Sequence, residues 1–212
     1  MFDKYILALE TSSSICGASI IHKGKLVSIE EKDVKRQHAE LLPDITKKTL
    51  NNIEMNLDDI DAIAINIGPG SFTGLRVGLG FAKGLAYSKS LPIIPIPSML
   101  SLAFGLRKYE PQQGMLLSHG EKIFFQTFKW KNNLPSLNKE ICLGNINNYI
   151  QYFSNGFHYN CENILFGFKE IRAAKHSSSN IGELASIYYE DFVVYKPQTL
   201  VPNYIASFKT GT

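Results

Sequence analysis

Short apolar runs separated by polar turn residues make up the first third of the chain. Three of these runs, at residues 5–9, 16–21 and 25–31, predict successive strands, and Lys23-Gly24 has the composition of a tight hairpin turn between the last two. A further run at residues 62–67 is apolar throughout, which is typical of a strand buried on both faces. The pattern therefore predicts an antiparallel meander followed by a central strand.

Helical periodicity lies between these strands and after them. Apolar side chains recur at three- and four-residue spacing over residues 37–51 and predict an amphipathic helix. A second helix is predicted over residues 73–88, a strand at residues 93–96, and a third helix that opens at Ser98 behind Pro97. Three antiparallel strands followed by this alternation are the order of a ribonuclease-H-like lobe, the α/β unit that is duplicated in actin, sugar kinases and Hsp70.

The second half of the chain has a weaker pattern. Short strands are predicted at residues 115–117 and 123–130, followed by an asparagine-rich stretch at residues 132–148 and by poorly capped helices. A chain of 212 residues can bury one large core or two small ones. We therefore predict two lobes: a ribonuclease-H-like lobe at residues 1–105 and a smaller, reduced α/β lobe at residues 106–212.

The composition indicates a folded protein, for which we expect a cytoplasmic location. Hydrophobic residues make up 44% of the chain and charged residues 19%, close to globular averages. No apolar run approaches the roughly 20 residues that a bilayer span needs, and the first residues lack the pattern of a signal peptide. The widely separated Cys16, Cys142 and Cys161 suit reduced thiols. No membrane association is expected.

A glycine-rich loop joins the central strand to the second helix. Its residues are Gly68, Pro69, Gly70, Ser71, Phe72, Thr73 and Gly74. A loop in this place favours an anion, because free backbone N–H groups point at it. The glycine spacing, however, misses the dinucleotide fingerprint by one residue, and no acidic residue follows before Glu110. Leu75-Arg76 stand where a P-loop requires lysine and a hydroxyl residue, so no nucleotide cofactor is predicted.

Small residues recur along the helix that follows this loop. Gly74, Gly78 and Ala82 stand four residues apart on one face, as do Gly80 and Gly84. Small faces let helices approach closely, and close approach explains every glycine, whereas a bound ligand would explain only the loop. We therefore favour packing as the role of these glycines.

Residues suited to catalysis or metal binding do not form a recognisable set. Glu10 and the hydroxyl residues after it stand where actin-like ATPases have an acid and a hydroxyl-rich turn, but a plain polar turn explains them as well. No pair of histidines has a metal-ligand spacing, and no serine lies in a nucleophile elbow. His38 is interpreted as a surface or interface residue. We predict no catalytic residue and no metal site.

The charge of the chain, +3 overall, is unevenly distributed. No acidic residue lies between Ala62 and Tyr109, a stretch that contains five cations. Chance and an anionic partner both remain open as explanations.

Three segments, in this order, resemble the TsaB (YeaZ) family. They cover residues 6–12, residues 37–43, and residues 65–78 with the glycine-rich loop, which is the most specific of the three. TsaD, the related catalytic transferase, has two metal-binding histidines four residues apart after the fifth strand. Ser98 and Leu102 stand at those positions here, and neither side chain can replace a histidine ligand.

The resemblance implies a noncatalytic scaffold subunit without a cofactor. A TsaB-type subunit binds TsaD through its first two helices, is joined by the ATPase TsaE, and forms a homodimer when alone. The complex places threonylcarbamoyl on the adenosine beside the anticodon, so contact with tRNA would be indirect. The interface residues predicted on this basis are His38, Leu41, Leu42, Ile45, Gly74, Arg76, Gly78 and Ala82.

Two other functions stay as alternatives, one from the pattern of elements and one, a metallopeptidase, from older labels for the wider family. The order of elements and the glycine-rich loop are compatible with an actin-like ATPase or ATP-dependent phosphotransferase, and this is the main alternative. A metallopeptidase is the weakest. The chain also departs from the family: it has Glu10 where an aspartate is usual, and Leu117-Ser118-His119 where an Asp-Ala-Arg-like segment is usual.

Overall fold

The computed structural model describes residues 3–165 and 171–205, and these divide into two compact units. The first unit contains the residues up to Ser101 together with His176–Pro202, and Leu102–Lys175 form most of the second. The sequence-based division at residues 105 and 106 differs from this arrangement, because it assigned the segment His176–Pro202 to the second lobe. That segment returns to the first unit and contributes a helix to it.

The first unit is built on a five-stranded sheet with the order β3-β2-β1-β4-β5. Its strands are β1 (Tyr5–Glu10), β2 (Ile15–His22), β3 (Lys25–Asp33), β4 (Ala62–Asn66) and β5 (Ile93–Ile96). The first three strands pair antiparallel, and β4 and β5 run parallel to β1. The predicted meander and central strand are confirmed, and both turn residues Lys23 and Gly24 have a positive φ.

Helices cover both faces of this sheet. They are α1 (His38–Asn51), α2 (Phe72–Lys89) and α4 (Ser178–Ile187), with α5 (Tyr189–Phe192) beside β5. Helix α3 (Ser98–Gly105) begins in this unit, and its residues from Leu102 onward belong to the second unit. Leu7 and Leu9 of β1 belong to the same core cluster as Leu42 of α1 and Leu79 of α2. Ala8, between the two leucines, points to the opposite face, where α4 contacts all five strands. Helix α4, which the sequence-based division assigned to the second lobe, therefore covers the second face of this sheet.

The second unit has a sheet with the order β11-β10-β6-β7-β8, and β9 pairs with β7. Its strands are β6 (Gln113–His119), β7 (Lys122–Lys131), β8 (Leu134–Leu137), β9 (Cys142–Asn145), β10 (Gly156–Tyr159) and β11 (Arg172–Ala173). The predicted strands at residues 115–117 and 123–130 are confirmed. The asparagine-rich stretch holds two strands that its composition did not indicate.

Short 3-10 helices occur in the connections of both units. They are Leu57–Asp59, Ile146–Asn148, Ile150–Tyr152, Glu162–Ile164 and Pro197–Thr199. The first is capped by Asn56, whose side chain accepts a hydrogen bond from Asp58 N. Within the described residues, no helix is long and apolar enough to cross a membrane.

Helix α2 has two faces of small residues with opposite surroundings. Gly74, Gly78 and Ala82 are buried within the unit. A Cβ atom placed on Gly78 would lie 2.1 Å from Thr11 Oγ1, whereas one on Gly80 would meet nothing within 4 Å. The first face therefore packs helix α2 against the sheet and the loop after β1, and the second faces outward.

Gly78→Ala is expected to destabilise the protein, because the added methyl group would collide with Thr11 Oγ1. Overpacking of this kind costs about 1 to 3 kcal/mol. Gly80→Ala is the matched control on the same helix, and its methyl group should raise the free energy of unfolding by about 0.5 to 1 kcal/mol through helix propensity. Urea denaturation of wild type and both variants measures these changes. Equal stabilities of the two variants would contradict the packing assigned to Gly78.

Candidate functional site

Polar side chains gather where the parallel strands of the first unit end. Glu10 is the last residue of β1, Asn66 is the last residue of β4, and Ser98 begins α3 directly after β5. The carboxyl ends of neighbouring parallel strands meet at one edge of a sheet, which is the usual place for a ligand in such folds. All three side chains are fully buried here.

The carboxylate of Glu10 is held by donors from the protein itself. Its Oε1 accepts hydrogen bonds from Ser12 N at 2.5 Å and from Ser12 Oγ at 2.6 Å. Its Oε2 accepts a hydrogen bond from Asn66 Nδ2 at 2.9 Å and lies 3.4 Å from His176 Nδ1. Both carboxylate oxygens are therefore engaged by groups of this unit.

Asn66 connects the carboxylate to the next strand and to the glycine-rich loop. Its Oδ1 accepts hydrogen bonds from Gly68 N at 2.9 Å and from the hydroxyl of Ser98. Ser98 is one of the two positions where TsaD has a metal-binding histidine, and here its hydroxyl serves this buried network. Groups of three or more histidine, cysteine or acidic residues that could hold a metal ion do not occur among the described residues.

The electrostatics of this cluster favour an ionised Glu10. Burial alone would raise the pKa of its carboxyl group, but the charge and hydrogen bond of His176 and the hydrogen bonds of Ser12 and Asn66 lower it below the usual value. A carboxylate that is shielded from water stays charged only if it is paired and hydrogen-bonded. Ser12, Asn66 and His176 together provide these contacts for Glu10.

The glycine-rich loop packs on the residues that follow Glu10. Ser71 N donates to Ser12 O at 2.7 Å, and Thr11 Oγ1 donates to Gly74 O at 2.8 Å. A Cβ atom on Gly74 would lie 1.9 Å from Thr11 O. Gly68 has a φ of 107°, which favours glycine, and its peptide bond to Pro69 is cis. The glycines thus allow the loop after β1 and the start of α2 to touch, as the packing interpretation predicts.

A second carboxylate, that of the partly buried Glu31, accepts hydrogen bonds from the start of α4. Glu31 Oε1 accepts hydrogen bonds from Ser177 Oγ at 2.9 Å, from Ser178 N at 2.6 Å and from Ser178 Oγ at 2.8 Å. An acidic group at a helix N-terminus is favoured by the helix dipole. The contacts of Glu31 and the contact between His176 and Glu10 attach the segment His176–Pro202 to the sheet at two places.

The predicted interface residues fall into two groups. Five of them are buried in the first unit, and their place at an interface stays a prediction: Leu42, Ile45, Gly74, Gly78 and Ala82. Gly74, Gly78 and Ala82 lie on the inner face of α2, in agreement with the packing role that their spacing predicts. His38, Leu41 and Arg76 are partly or fully exposed and stay as predictions.

The cations of the acid-free stretch have partners within the protein. Lys89 forms an ion pair with Asp58, Lys83 Nζ donates to Gln198 O at 2.9 Å, and the Arg76 guanidinium lies 3.6 Å from the centre of the Phe72 ring. Arg107 contacts Phe104 in the same way, through the Phe104 ring and carbonyl oxygen, so four of the five cations have a partner within the described chain.

Sequence reasoning missed His176, Ser177 and Ser178. The serine run before an apolar stretch is an N-cap signal and could have located the start of α4. No local signal links His176 to Glu10, because the two residues are joined only by the tertiary fold.

The sheet order, the helices on both faces and the buried acid at the end of β1 define a mixed α/β protein of the ribonuclease-H-like fold, the class that includes actin-like ATPases and sugar kinases. The solved structure of YeaZ from Pseudomonas aeruginosa matches with a TM-score of 0.79 at 19% identity, covering 95% of this chain and 100% of that chain. At this level of identity the match concerns the fold, and it extends over both units.

Sequence similarity to known proteins covers part of the chain. A family model described as TsaD, tRNA N6-adenosine threonylcarbamoyltransferase, matches residues 28–127. The tRNA threonylcarbamoyladenosine biosynthesis protein TsaB of Haemophilus influenzae is 39% identical over 98 residues, 46% of this chain and 41% of that protein. TsaB of Buchnera aphidicola subsp. Schizaphis graminum is 37% identical over 109 residues, 51% of each chain. The matched region thus spans about half the length of these curated relatives. The predicted resemblance to the TsaB (YeaZ) family is confirmed.

Glu10→Gln is expected to lower the free energy of unfolding at pH 7 by about 3 kcal/mol, because it removes the charge that the buried donors surround. The folded pKa of Glu10 lies below the ordinary value of 4.5, so the carboxylate stabilises the fold above about that pH and loses this contribution as the pH falls through the folded pKa. The difference between wild type and variant should therefore shrink below about pH 4.5.

Urea denaturation at a series of pH values measures this difference. Glu40→Gln, at an exposed position of α1, is the control and should change the stability little at any pH. A difference between wild type and Glu10→Gln that stays constant from neutral pH to about pH 3 would contradict the assignment of an ionised Glu10.

Proposed function

We propose that this protein is a noncatalytic scaffold subunit of the machinery that makes threonylcarbamoyladenosine in tRNA, and that it binds and supports a TsaD-type transferase. The similarity of residues 28–127 to this pair of families supports the proposal. The observation that carries the noncatalytic part is the fully buried Glu10, whose two oxygens accept from Ser12 and Asn66 and contact His176. An acid engaged in this way has no oxygen directed at a substrate.

The outward surface of α1 and α2 is the surface that we assign to the partner. It is lined by His38, Leu41, Arg76, Val77, Gly80, Phe81, Gly84 and Tyr87. Tyr87 is 85% exposed, and Phe81, Val77 and Leu41 are partly exposed apolar side chains. Exposed aromatic and apolar groups supply most of the energy of an interface. Gly80 and Gly84 beside them allow a partner helix to approach closely.

The same surface would serve a homodimer when the transferase is absent, since a two-fold interface uses one patch on both subunits. In the proposed complex, a TsaE-type ATPase joins the two subunits, and tRNA is contacted indirectly, through the assembly. A cytoplasmic location is part of this proposal.

Gly84→Arg is expected to weaken binding of the cognate TsaD-type protein by tenfold or more. The glycine faces outward with no atom within 4 Å of an added Cβ, so the new side chain should obstruct the partner while the fold remains intact. Isothermal titration calorimetry and co-elution measure the affinity, and circular dichroism measures the fold. Ser136→Arg, at an exposed position of β8 in the second unit, is the control for the added charge and bulk.

Wild type and Ser136→Arg should bind equally well. Absence of any association between the wild-type protein and its cognate TsaD-type protein would contradict the proposed function. Full affinity of Gly84→Arg would contradict only the location of the docking surface, because the subunit would then bind elsewhere.

The isolated protein is expected not to bind magnesium ATP stoichiometrically, because the acid at the end of β1 is held by Ser12, Asn66 and His176, and the loop before α2 packs on Thr11 and Ser12. Titration of ATP with magnesium into the protein measures this directly. Saturable binding with one nucleotide per chain would favour the actin-like ATPase or phosphotransferase instead.

A further inference from the structure

The N-terminus of α2 is bonded to the two residues that follow the buried Glu10. Ser71, the N-cap of α2, donates its backbone N–H to Ser12 O at 2.7 Å, and its hydroxyl accepts from Gly74 N at 3.2 Å. Thr11 Oγ1 donates to Gly74 O at 2.8 Å. The position of the first turn of α2 is therefore set by the backbone of residues 11 and 12.

Residue 12 is in turn held by Glu10 and His176 together. Both the N–H and the hydroxyl of Ser12 donate to Glu10 Oε1, and the Ser12 hydroxyl lies 3.4 Å from His176 Nδ1. His176 also lies 3.4 Å from Glu10 Oε2 and is almost entirely buried. It comes from the segment that returns to the first unit, 164 residues away from Ser12 in the chain.

We propose that His176 is a positioning residue for partner docking: through Glu10 and Ser12 it fixes the start of α2, and thereby the outward surface that this helix presents to the transferase. Because the His176 side chain is buried, in this proposal it acts through Glu10 and Ser12. This inference rests on the proposed function and adds to it a dependence of docking on the returning segment.

The geometry of α2 explains why this dependence is expected. Arg76 and Val77 lie in the second turn of the helix, directly after the turn that Ser71 and Gly74 bond to the loop. The turns of a helix are rigidly connected, so a shift of the first turn moves the outward side chains of the second. Small displacements of contacting groups are costly to a packed interface.

The experiment combines hydrogen exchange of the isolated protein with the affinity for the cognate TsaD-type protein. His176→Ala removes the side chain that contacts Glu10 and Ser12. We expect exchange at the amides of Ser71 and Gly74 to become tenfold faster or more, with little change in the β2–β3 hairpin. The affinity for the transferase should fall about tenfold. His176→Asn, which keeps a donor near the position of Nδ1, should restore most of both properties.

Ser178→Ala is the matched control. Ser178 is buried, lies two residues away in the same segment, and donates to Glu31 rather than to the network at Glu10. It should lower the melting temperature by weakening the attachment of α4, yet leave exchange at Ser71 and Gly74 and the partner affinity near the wild-type values. This result would separate positioning from a general loss of stability.

Two outcomes would overturn the inference. One is a folded His176→Ala protein in which the exchange of Ser71 and Gly74 is unchanged. The other is an equal loss of affinity in Ser178→Ala, which would make stability the sole cause. If the wild-type protein does not bind the transferase at all, the proposed function fails, but hydrogen exchange still decides whether His176 fixes the start of α2.

Discussion

The first unit depends on one buried charge, the carboxylate of Glu10. A carboxylate without contact with water is costly unless it is paired and hydrogen-bonded. Here its neighbours come from the loop after β1, from the end of β4 and from the segment before α4, while Asn66 extends the network to Ser98 after β5. The groups that pair with and hydrogen-bond the Glu10 carboxylate therefore come from the strand ends and from a distant part of the chain.

Related folds bind ligands at this edge of the sheet. In this chain the same edge is occupied by contacts within the first unit. Carboxyl ends of parallel strands and a glycine-rich turn before a helix are suited to phosphate and metal. In this chain His176 supplies the group opposite the acid, and Thr11 and Ser12 contact the loop that would receive an anion. The glycines that suggest a ligand serve close packing, and the outer face of α2 is left for a partner.

Sequence signals predicted most strands and helices of the first unit, because each signal lies within a few residues of the element that it marks. The hairpin at Lys23-Gly24 and the strand Ile93–Ile96 each have a turn or apolar signal within a few residues. The inward direction of Gly78 could not be read from spacing, because Gly80 and Gly84 share that spacing. Only the tertiary contacts of Gly78 with Thr11 and Ile65 distinguish it from Gly80. The contact of His176 with Glu10 has no local signal at all.

The direct test of this account is a crystal structure of the protein bound to its cognate TsaD-type transferase in the presence of magnesium ATP. The account predicts that the partner covers Gly84 and Tyr87 on the outward surface, and that the Glu10 carboxylate still contacts Ser12, Asn66 and His176. A partner seated on another surface, or a magnesium nucleotide bound to Glu10 in place of His176, would contradict it.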